Sequence, residues 1–229
     1  MWLESRGTMA RGLGPDIGVE ILGGDRLPSP IPAYALWQGD VERFLDMLPR
    51  RQLFDLVVTS PPYNLAKPHE EKRDLEEYIT WQKRLVEKIY PLVKDFGSVC
   101  WQVGNYVENG RIIPLDIELA PIFKGLGMPL RNRIVWKFGH GQHCKRRFSG
   151  RYEVILWYTK KEEDYVFNLD DVRIQSKYPG KKYFRGPKRG QFSGNPRGKN
   201  PEDVWDIPNV KSNHVEKTDH HRQFPVGMV

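Results

Sequence analysis

The chain has 229 residues, of which 36 are Lys or Arg and 29 are Asp or Glu, so its formal net charge is +7. A hydrophobic fraction of 39% is enough to build a core and excludes a wholly disordered chain. No apolar run reaches the roughly 18 residues of a membrane span. Residues 1–18 lack the apolar stretch of a secretory signal, and two cysteines cannot form a disulfide framework. We therefore expect a cytoplasmic protein whose basic character suits a polyanionic partner.

Strands and helices alternate along the middle of the chain. Apolar, β-branched runs predict strands at residues 55–59, 97–103, 130–138 and 151–159. Apolar residues at helical spacing predict helices at residues 75–93 and 115–123. This alternation implies βαβ units, so the predicted fold class is α/β with a mostly parallel sheet.

Two other segments are predicted to lack regular structure. Residues 1–33 contain scattered Gly and Pro and predict a flexible N-terminal arm. Residues 173–199 contain nine Lys or Arg, no Asp or Glu, five Gly and three Pro. This basic segment predicts a long loop, which in a compact domain is usually functional or disordered.

The most informative motif, Ser60-Pro61-Pro62-Tyr63, directly follows the first of these strands. It could be no more than a rigid turn, because prolines fix φ and remove amide donors. It could also be a binding site, because ligands of open α/β sheets lie beyond the carboxyl ends of strands. There the Ser60 hydroxyl and the Pro61 carbonyl would accept hydrogen bonds from an amino group on a planar ring, and Tyr63 would stack on the ring. The residues alone leave both interpretations open.

This motif resembles the Asp/Asn/Ser-Pro-Pro-Tyr catalytic motif of the S-adenosylmethionine-dependent DNA amino methyltransferases, which methylate cytosine N4 or adenine N6. Further segments similar to this family follow in order over residues 34–229, at 36–40, 133–137, 151–156, 203–208 and 216–225. The resemblance implies a Rossmann-like methyltransferase sheet, mostly parallel with an antiparallel edge, and S-adenosylmethionine as the cofactor.

The order of the segments resembles that of the circularly permuted β group of the family. In that group a Phe-x-Gly-x-Gly loop that holds the cofactor follows the segment matched by Phe224-Pro225, whereas this chain stops at Val229. The resemblance thus implies the catalytic half of a permuted domain, completed by a missing C-terminal segment or by a second chain. A decayed gene product is the third option. One local departure is His221, where the family usually has Pro.

The resemblance also implies the domain limits and the site residues. The limits are an arm at 1–33, a catalytic subdomain at 34–168, a basic loop at 169–202 and the start of the cofactor-binding region at 203–229. The catalytic residues are Ser60, Pro61, Pro62 and Tyr63. The cofactor-binding residues are Asp40, Thr59, Thr218, His220, Phe224 and Pro225. Asp40 could equally be the N-cap of a following helix.

Double-stranded DNA is the partner that the resemblance implies, with the target base flipped out of the stack. The residues expected to contact this DNA are Lys145, Arg146, Arg147, Lys181, Lys182, Arg185, Lys188, Arg189 and Arg197. An exposed hairpin turn is the simpler explanation for the group at 145–147, and a solvated linker is the simpler explanation for the later group. Tyr and Phe interleaved with the later group favour nucleic acid.

We therefore predict a site-specific DNA methyltransferase of a restriction-modification system, with Ser60 slightly favouring cytosine N4 over adenine N6. Methylation at cytosine C5 is disfavoured, because its nucleophilic thiol follows Pro in that chemistry and neither Cys100 nor Cys144 does. The alternatives are an inactive or partner-dependent DNA-binding fragment and a methyltransferase acting on RNA or protein. We expect no metal site, because His140, His143 and Cys144 lack a fourth ligand.

Overall fold

The computed structural model describes residues 20–22, 35–65, 72–220 and 223–229. The chain divides into two units, residues 1–50 and 51–229. In the first unit, β1 (Glu20–Leu22) pairs in parallel with β2 (Ala35–Trp37), and α1 (Val41–Met47) follows. The predicted arm at 1–33 therefore contains one strand, and the rest of it lies outside the described residues.

The second unit is built around a mixed five-stranded sheet. In chain order it contains β3 (Phe54–Thr59), α2 (Leu75–Ile89), β4 (Val93–Val103), β5 (Asn105–Glu108), β6 (Arg111–Pro114), α3 (Leu115–Gly125), β7 (Leu130–Lys137), β8 (Tyr152–Thr159) and β9 (Val204–Asp206). The sheet order is β3-β4-β8-β7-β9, and β5 and β6 form a separate hairpin. None of the described helices is long and apolar enough to span a membrane.

Strand direction confirms the predicted α/β class with a mostly parallel sheet. Strands β3, β4, β7 and β9 point the same way, and β8 runs against both of its neighbours. In the described sheet, the reversed strand lies between β4 and β7. Its consecutive residues Val154, Ile155 and Leu156 are all buried, at 2%, 6% and 1% exposure, so both faces of this strand are covered.

The helix predicted at 75–93 ends earlier than its apolar spacing suggests. Asp74 is the N-cap of α2, where its Oδ1 accepts a hydrogen bond from the Glu77 amide at 2.9 Å, and the helix ends at Ile89. Pro91 has no amide hydrogen with which to continue the α-helical hydrogen bonds, so a 3-10 turn at Tyr90–Leu92 follows, in which Tyr90 keeps right-handed helical backbone, and β4 begins at Val93.

The hairpin formed by β5 and β6 is absent from the sequence prediction, although its signal is local. Its two-residue turn is Asn109-Gly110, with φ of +48° and +80°. These are the left-handed values of a type I′ turn, in which Asn-Gly is strongly preferred.

An ion pair between the buried Asp116 carboxylate and the partly exposed Arg133 guanidinium joins α3 to β7. The Arg133 Nε donates to Asp116 Oδ2 at 2.5 Å, and the Asp116 side chain is only 3% exposed. We expect Arg133→Met to lower the free energy of unfolding by about 3 kcal/mol, because it leaves a buried carboxylate without its counter-ion. Urea denaturation measures the change.

Lys137 provides a matched control on the same strand, because it pairs with Asp206 while both side chains are more than half exposed. We expect Lys137→Met to change stability by less than about 0.5 kcal/mol. Equal losses in the two variants would contradict a stabilising role for the ion pair of Asp116 and Arg133.

Candidate active site

The site is assembled where four strands end. We call this the carboxyl edge of the sheet, the edge at which β3, β4, β7 and β9 finish and β8 begins. Ser60 follows the last residue of β3, Gly104 follows the last residue of β4, and Glu153 is the second residue of β8. Three distant parts of the chain therefore meet beside the diproline motif.

A chain of hydrogen bonds runs through the motif. Ser60 Oγ lies 3.1 Å from Tyr63 Oη, which donates to Glu153 Oε2 at 3.0 Å. Gln102 Nε2 donates to the same carboxylate oxygen in a short hydrogen bond. Ser60 is half-buried, whereas Tyr63 is 8% exposed. The motif is thus anchored through its side chains to β4 and β8.

The backbone of the motif is held as well. Tyr78 Oη, on α2, donates to the Pro62 carbonyl at 2.8 Å. Asn64 is 2% exposed and has a φ of +61°, a value that Asn tolerates better than most residues. Its side chain makes two hydrogen bonds of 2.8 Å with the backbone N–H and C=O of Arg73. The diproline turn is therefore fixed before any ligand arrives.

Gly104 leaves room for the Tyr63 ring, because it has no side chain. A Cβ on this glycine would lie 2.9 Å from Tyr63 Cε2, which is closer than real Cβ contacts, and 3.3 Å from Glu153 Cγ, which is a tight contact. The ring is packed on the backbone at the end of β4, so the expected stacking surface of Tyr63 is largely covered. Nothing in the sequence prediction pointed to Gly104, Gln102 or Glu153, because their importance depends on strand order.

The predicted cofactor residues occupy three places. Thr59 is the half-buried last residue of β3, next to Ser60. Asp40 belongs to the first unit and caps α1, with its Oδ1 accepting from the Arg43 amide at 3.0 Å. The remaining four lie in the loop that follows β9 and are Thr218, His220, Phe224 and Pro225.

The loop after β9 is folded by its own hydrogen bonds. Gln223 Oε1 accepts from both the amide and the hydroxyl of Thr218 at 2.9 Å, and Glu216 Oε2 accepts from the Val226 amide at 2.9 Å. Thr218 and His220 remain exposed. Because β9 ends at the carboxyl edge, the loop starts there and offers exposed polar groups to a ligand. The predicted departure at His221 lies outside the described residues.

The structure separates the two predicted basic groups. Lys145, Arg146 and Arg147 are exposed in the loop between β7 and β8, which lies at the carboxyl edge, and the adjoining Phe148 is 100% exposed. The basic segment at 173–199 leaves the sheet after β8 and returns at β9. Because β8 ends and β9 begins where the parallel strands start, the segment is attached at the edge opposite to the carboxyl edge.

The basic segment folds back on itself and is not a plain linker. Antiparallel bridges join Ile174 to Lys199 and Lys182 to Phe192, and a cleft of about 730 Å³ lies between its two arms. Arg197 is paired with Asp170. The other predicted DNA contacts of this segment are exposed, namely Lys181, Lys182, Arg185, Lys188 and Arg189.

The Cys100 thiol is unsuited to act as an alternative nucleophile. Burial raises the pKa of the Cys100 thiol to about 11, so this thiol stays protonated at neutral pH. Cys144 lies in the loop between β7 and β8, where its amide donates to Ser149 Oγ at 3.0 Å. Within the described ranges, no group of three or more His, Cys, Asp or Glu side chains could hold a metal ion.

Alkylation should distinguish the two thiols. At pH 8 we expect iodoacetamide to label Cys144 and to leave Cys100 unlabelled in the folded chain, because a thiol of pKa about 11 has almost no thiolate at that pH. Peptide mass spectrometry reads out the labelling, and both thiols should react in urea. Equal labelling in the folded chain would contradict the raised pKa of the Cys100 thiol.

Comparison with known proteins assigns the family. The sequence model of a family described as DNA methylase matches residues 54–229. The type II methyltransferase M.BglII of Bacillus subtilis is 47% identical over 209 residues, which are 90% of this chain and 58% of that protein. M.ScaI of Streptomyces caespitosus is 36% identical over 205 residues, which are 85% of this chain and 63% of that protein.

A solved structure supports the fold. The PvuII DNA methyltransferase (cytosine-N4-specific) superposes with a TM-score of 0.57 at 18% identity, covering 84% of this chain and 66% of that one. The chain spans about three fifths of the length of the two relatives described above. On the sequence match and the shared fold, the chain belongs to the N6/N4 DNA methylase family.

Proposed function

We propose that this chain carries the base-binding and methyl-transfer site of a restriction-modification DNA methyltransferase. The substrate is the exocyclic amine of a base flipped out of double-stranded DNA, cytosine N4 in preference to adenine N6. The observation that carries the proposal is the diproline turn, which is held at the carboxyl edge with the Ser60 hydroxyl facing Tyr63. The family whose sequence model matches this chain is described as DNA methylase, which favours DNA over RNA or protein.

The chemistry explains why such a turn is useful. An exocyclic amine is a poor nucleophile, because its lone pair is delocalised into the ring. The Ser60 hydroxyl and the Pro61 carbonyl would accept its two N–H groups and favour a pyramidal nitrogen. Orientation of the two reactants in a fixed site can contribute up to about 7–11 kcal/mol. The cofactor S-adenosylmethionine supplies an electrophilic methyl group when bound, and no covalent link to the protein is needed.

The cofactor would be held by residues on both sides of this turn. Thr59 precedes Ser60, and the loop after β9 starts at the same edge with Thr218 and His220 exposed. Phe224 and Pro225 would contribute the apolar part of the site. A polar, charged cofactor suits these exposed hydroxyl and imidazole groups.

The two basic groups would bind different parts of the DNA backbone. The loop with Lys145, Arg146 and Arg147 shares the carboxyl edge with Ser60, so its cations would bind the phosphates nearest to the target base. The basic segment, attached at the opposite edge, would bind backbone farther along the duplex. Its exposed Phe184 and Phe192, at 79% and 64%, add surfaces for stacking.

The test is to incubate the chain with tritiated S-adenosylmethionine and unmethylated genomic DNA, and then to identify the labelled nucleoside by mass spectrometry. We expect N4-methylcytosine. N6-methyladenine would correct the target base, and 5-methylcytosine would overturn the proposed chemistry. Calorimetric titration of the cofactor runs in parallel, and an absence of heat at millimolar concentration would reject autonomous activity.

A further inference from the structure

Glu153 lies next to the diproline motif although 90 positions separate it from Tyr63. It is half-buried at the start of β8. One of its carboxylate oxygens, Oε2, accepts hydrogen bonds from Tyr63 Oη and from Gln102 Nε2. Glu153 is therefore the acceptor at one end of the hydrogen-bond chain, and Ser60 is at the other.

The number of protons available to Ser60, Tyr63 and Glu153 fixes which group donates in each of these hydrogen bonds. An ionised carboxylate only accepts hydrogen bonds, whereas each hydroxyl has one proton to donate. The Tyr63 proton is therefore directed at Glu153, and the Tyr63 oxygen is left to accept. The Ser60 proton must then point at Tyr63 Oη, 3.1 Å away. The opposite direction would place two unprotonated oxygens, those of Tyr63 and Glu153, 3.0 Å apart.

We propose that Glu153 is a positioning residue that directs the Ser60 proton inwards, so that only lone pairs of Ser60 Oγ face the substrate. This inference rests on the proposed function, in which the substrate amine presents N–H donors to Ser60. With this proton direction, the outward lone pairs of Ser60 Oγ repel a carbonyl oxygen that stands where the substrate base has its amine. Glu153 thereby favours cytosine over thymine and adenine over guanine without touching the base.

Neutron diffraction from crystals of the perdeuterated chain tests the direction itself. We expect the deuteron of Tyr63 to point at Glu153 Oε2 and the deuteron of Ser60 to point at Tyr63 Oη. A Tyr63 deuteron that points at Ser60, or a deuteron on the Glu153 carboxyl, would overturn the inference. This measurement does not depend on catalysis, so it stands even if the chain does not methylate DNA.

Two substitutions at Glu153 test the consequence for turnover. Glu153→Gln can keep an acceptor oxygen in the place of Oε2, whereas Glu153→Leu removes it at similar volume. We expect the Leu variant to lower kcat about 30-fold and the Gln variant to stay within about threefold of the parent, with KM for S-adenosylmethionine unchanged in both. A purely structural role predicts equal effects of the two variants and would contradict the inference.

Tyrosine substitutions provide the matched control. Tyr63→Phe removes the hydroxyl that links Ser60 to Glu153 and should lower kcat about tenfold. Tyr158→Phe removes the hydroxyl of another buried tyrosine, at 3% exposure on β8 itself, and should leave kcat unchanged. Similar losses in the two variants would overturn the inference. Complete inactivity of the parent chain would reject the proposed function for this chain, and the neutron result would still decide the direction.

Discussion

Replacing Ser60 with alanine should lower methyl transfer about 100-fold and leave DNA affinity within about twofold. The substitution removes the hydroxyl that accepts from the substrate amine, and such a positioned group typically contributes 100-fold or more to turnover. Tyr63 keeps its hydrogen bond to Glu153, and Pro62 keeps its hydrogen bond from Tyr78, so the turn itself should persist. Single-turnover transfer of tritiated methyl groups measures the rate, and filter binding measures the affinity.

Ser98→Ala is the control for this variant. Ser98 is 8% exposed on β4, and its Oγ accepts from Trp157 Nε1 at 3.0 Å, away from the carboxyl edge. Its loss should reduce stability by about 1 kcal/mol and leave the rate of transfer unchanged. If Ser60→Ala and the parent chain methylate DNA at equal rates, Ser60 has no part in the mechanism.

The sequence predicted the central elements well because each carries a periodic pattern of its own. The six predicted strands and helices all exist, with ends shifted by a few residues. The two largest shifts are of four residues each, because α2 ends at Ile89 instead of residue 93 and β4 begins at Val93 instead of residue 97. Lys94 and Asp95 interrupt the apolar pattern there, and only the pairing of Val93 with Phe54 shows that the strand has begun.

The site was predictable only where it is local in sequence. The diproline motif could be found because its four residues are consecutive and follow a strand. Glu153 and Gln102 could not, since Glu153 meets both Tyr63 and Gln102 only after β8 inserts beside β4. Gly104 is a similar case, because its role depends on which ring lies against it.

The sequence shows where the positive charge lies along the chain, but not where it lies in three dimensions. The two basic groups lie about 30 residues apart in the chain, yet they are attached at opposite edges of the sheet. The reason is the direction of β8, which starts at the carboxyl edge and ends at the other. Of the two basic groups, the one with Lys145, Arg146 and Arg147 therefore lies on a loop that shares its edge with Ser60.

Neutralising these three cations should weaken DNA binding strongly. The variant is Lys145→Gln combined with Arg146→Gln and Arg147→Gln. If each cation binds one phosphate, the slope of log affinity against log salt should become shallower by about 2.7, and affinity near 0.15 M salt should fall about 100-fold. All three side chains are exposed, so the melting temperature should not change. Fluorescence anisotropy with a labelled duplex at several salt concentrations gives both quantities.

A second triple variant separates local contacts from total charge. Lys83, Lys88 and Lys124 lie on α2 and α3, and changing all three to Gln removes the same three charges from the helices. We expect this control to leave the salt slope within about 0.5 of the parent value, since long-range attraction is screened within about 8 Å at 0.15 M salt. Equal changes of slope in the two variants would mean that net charge, and not the loop at the carboxyl edge, accounts for DNA binding.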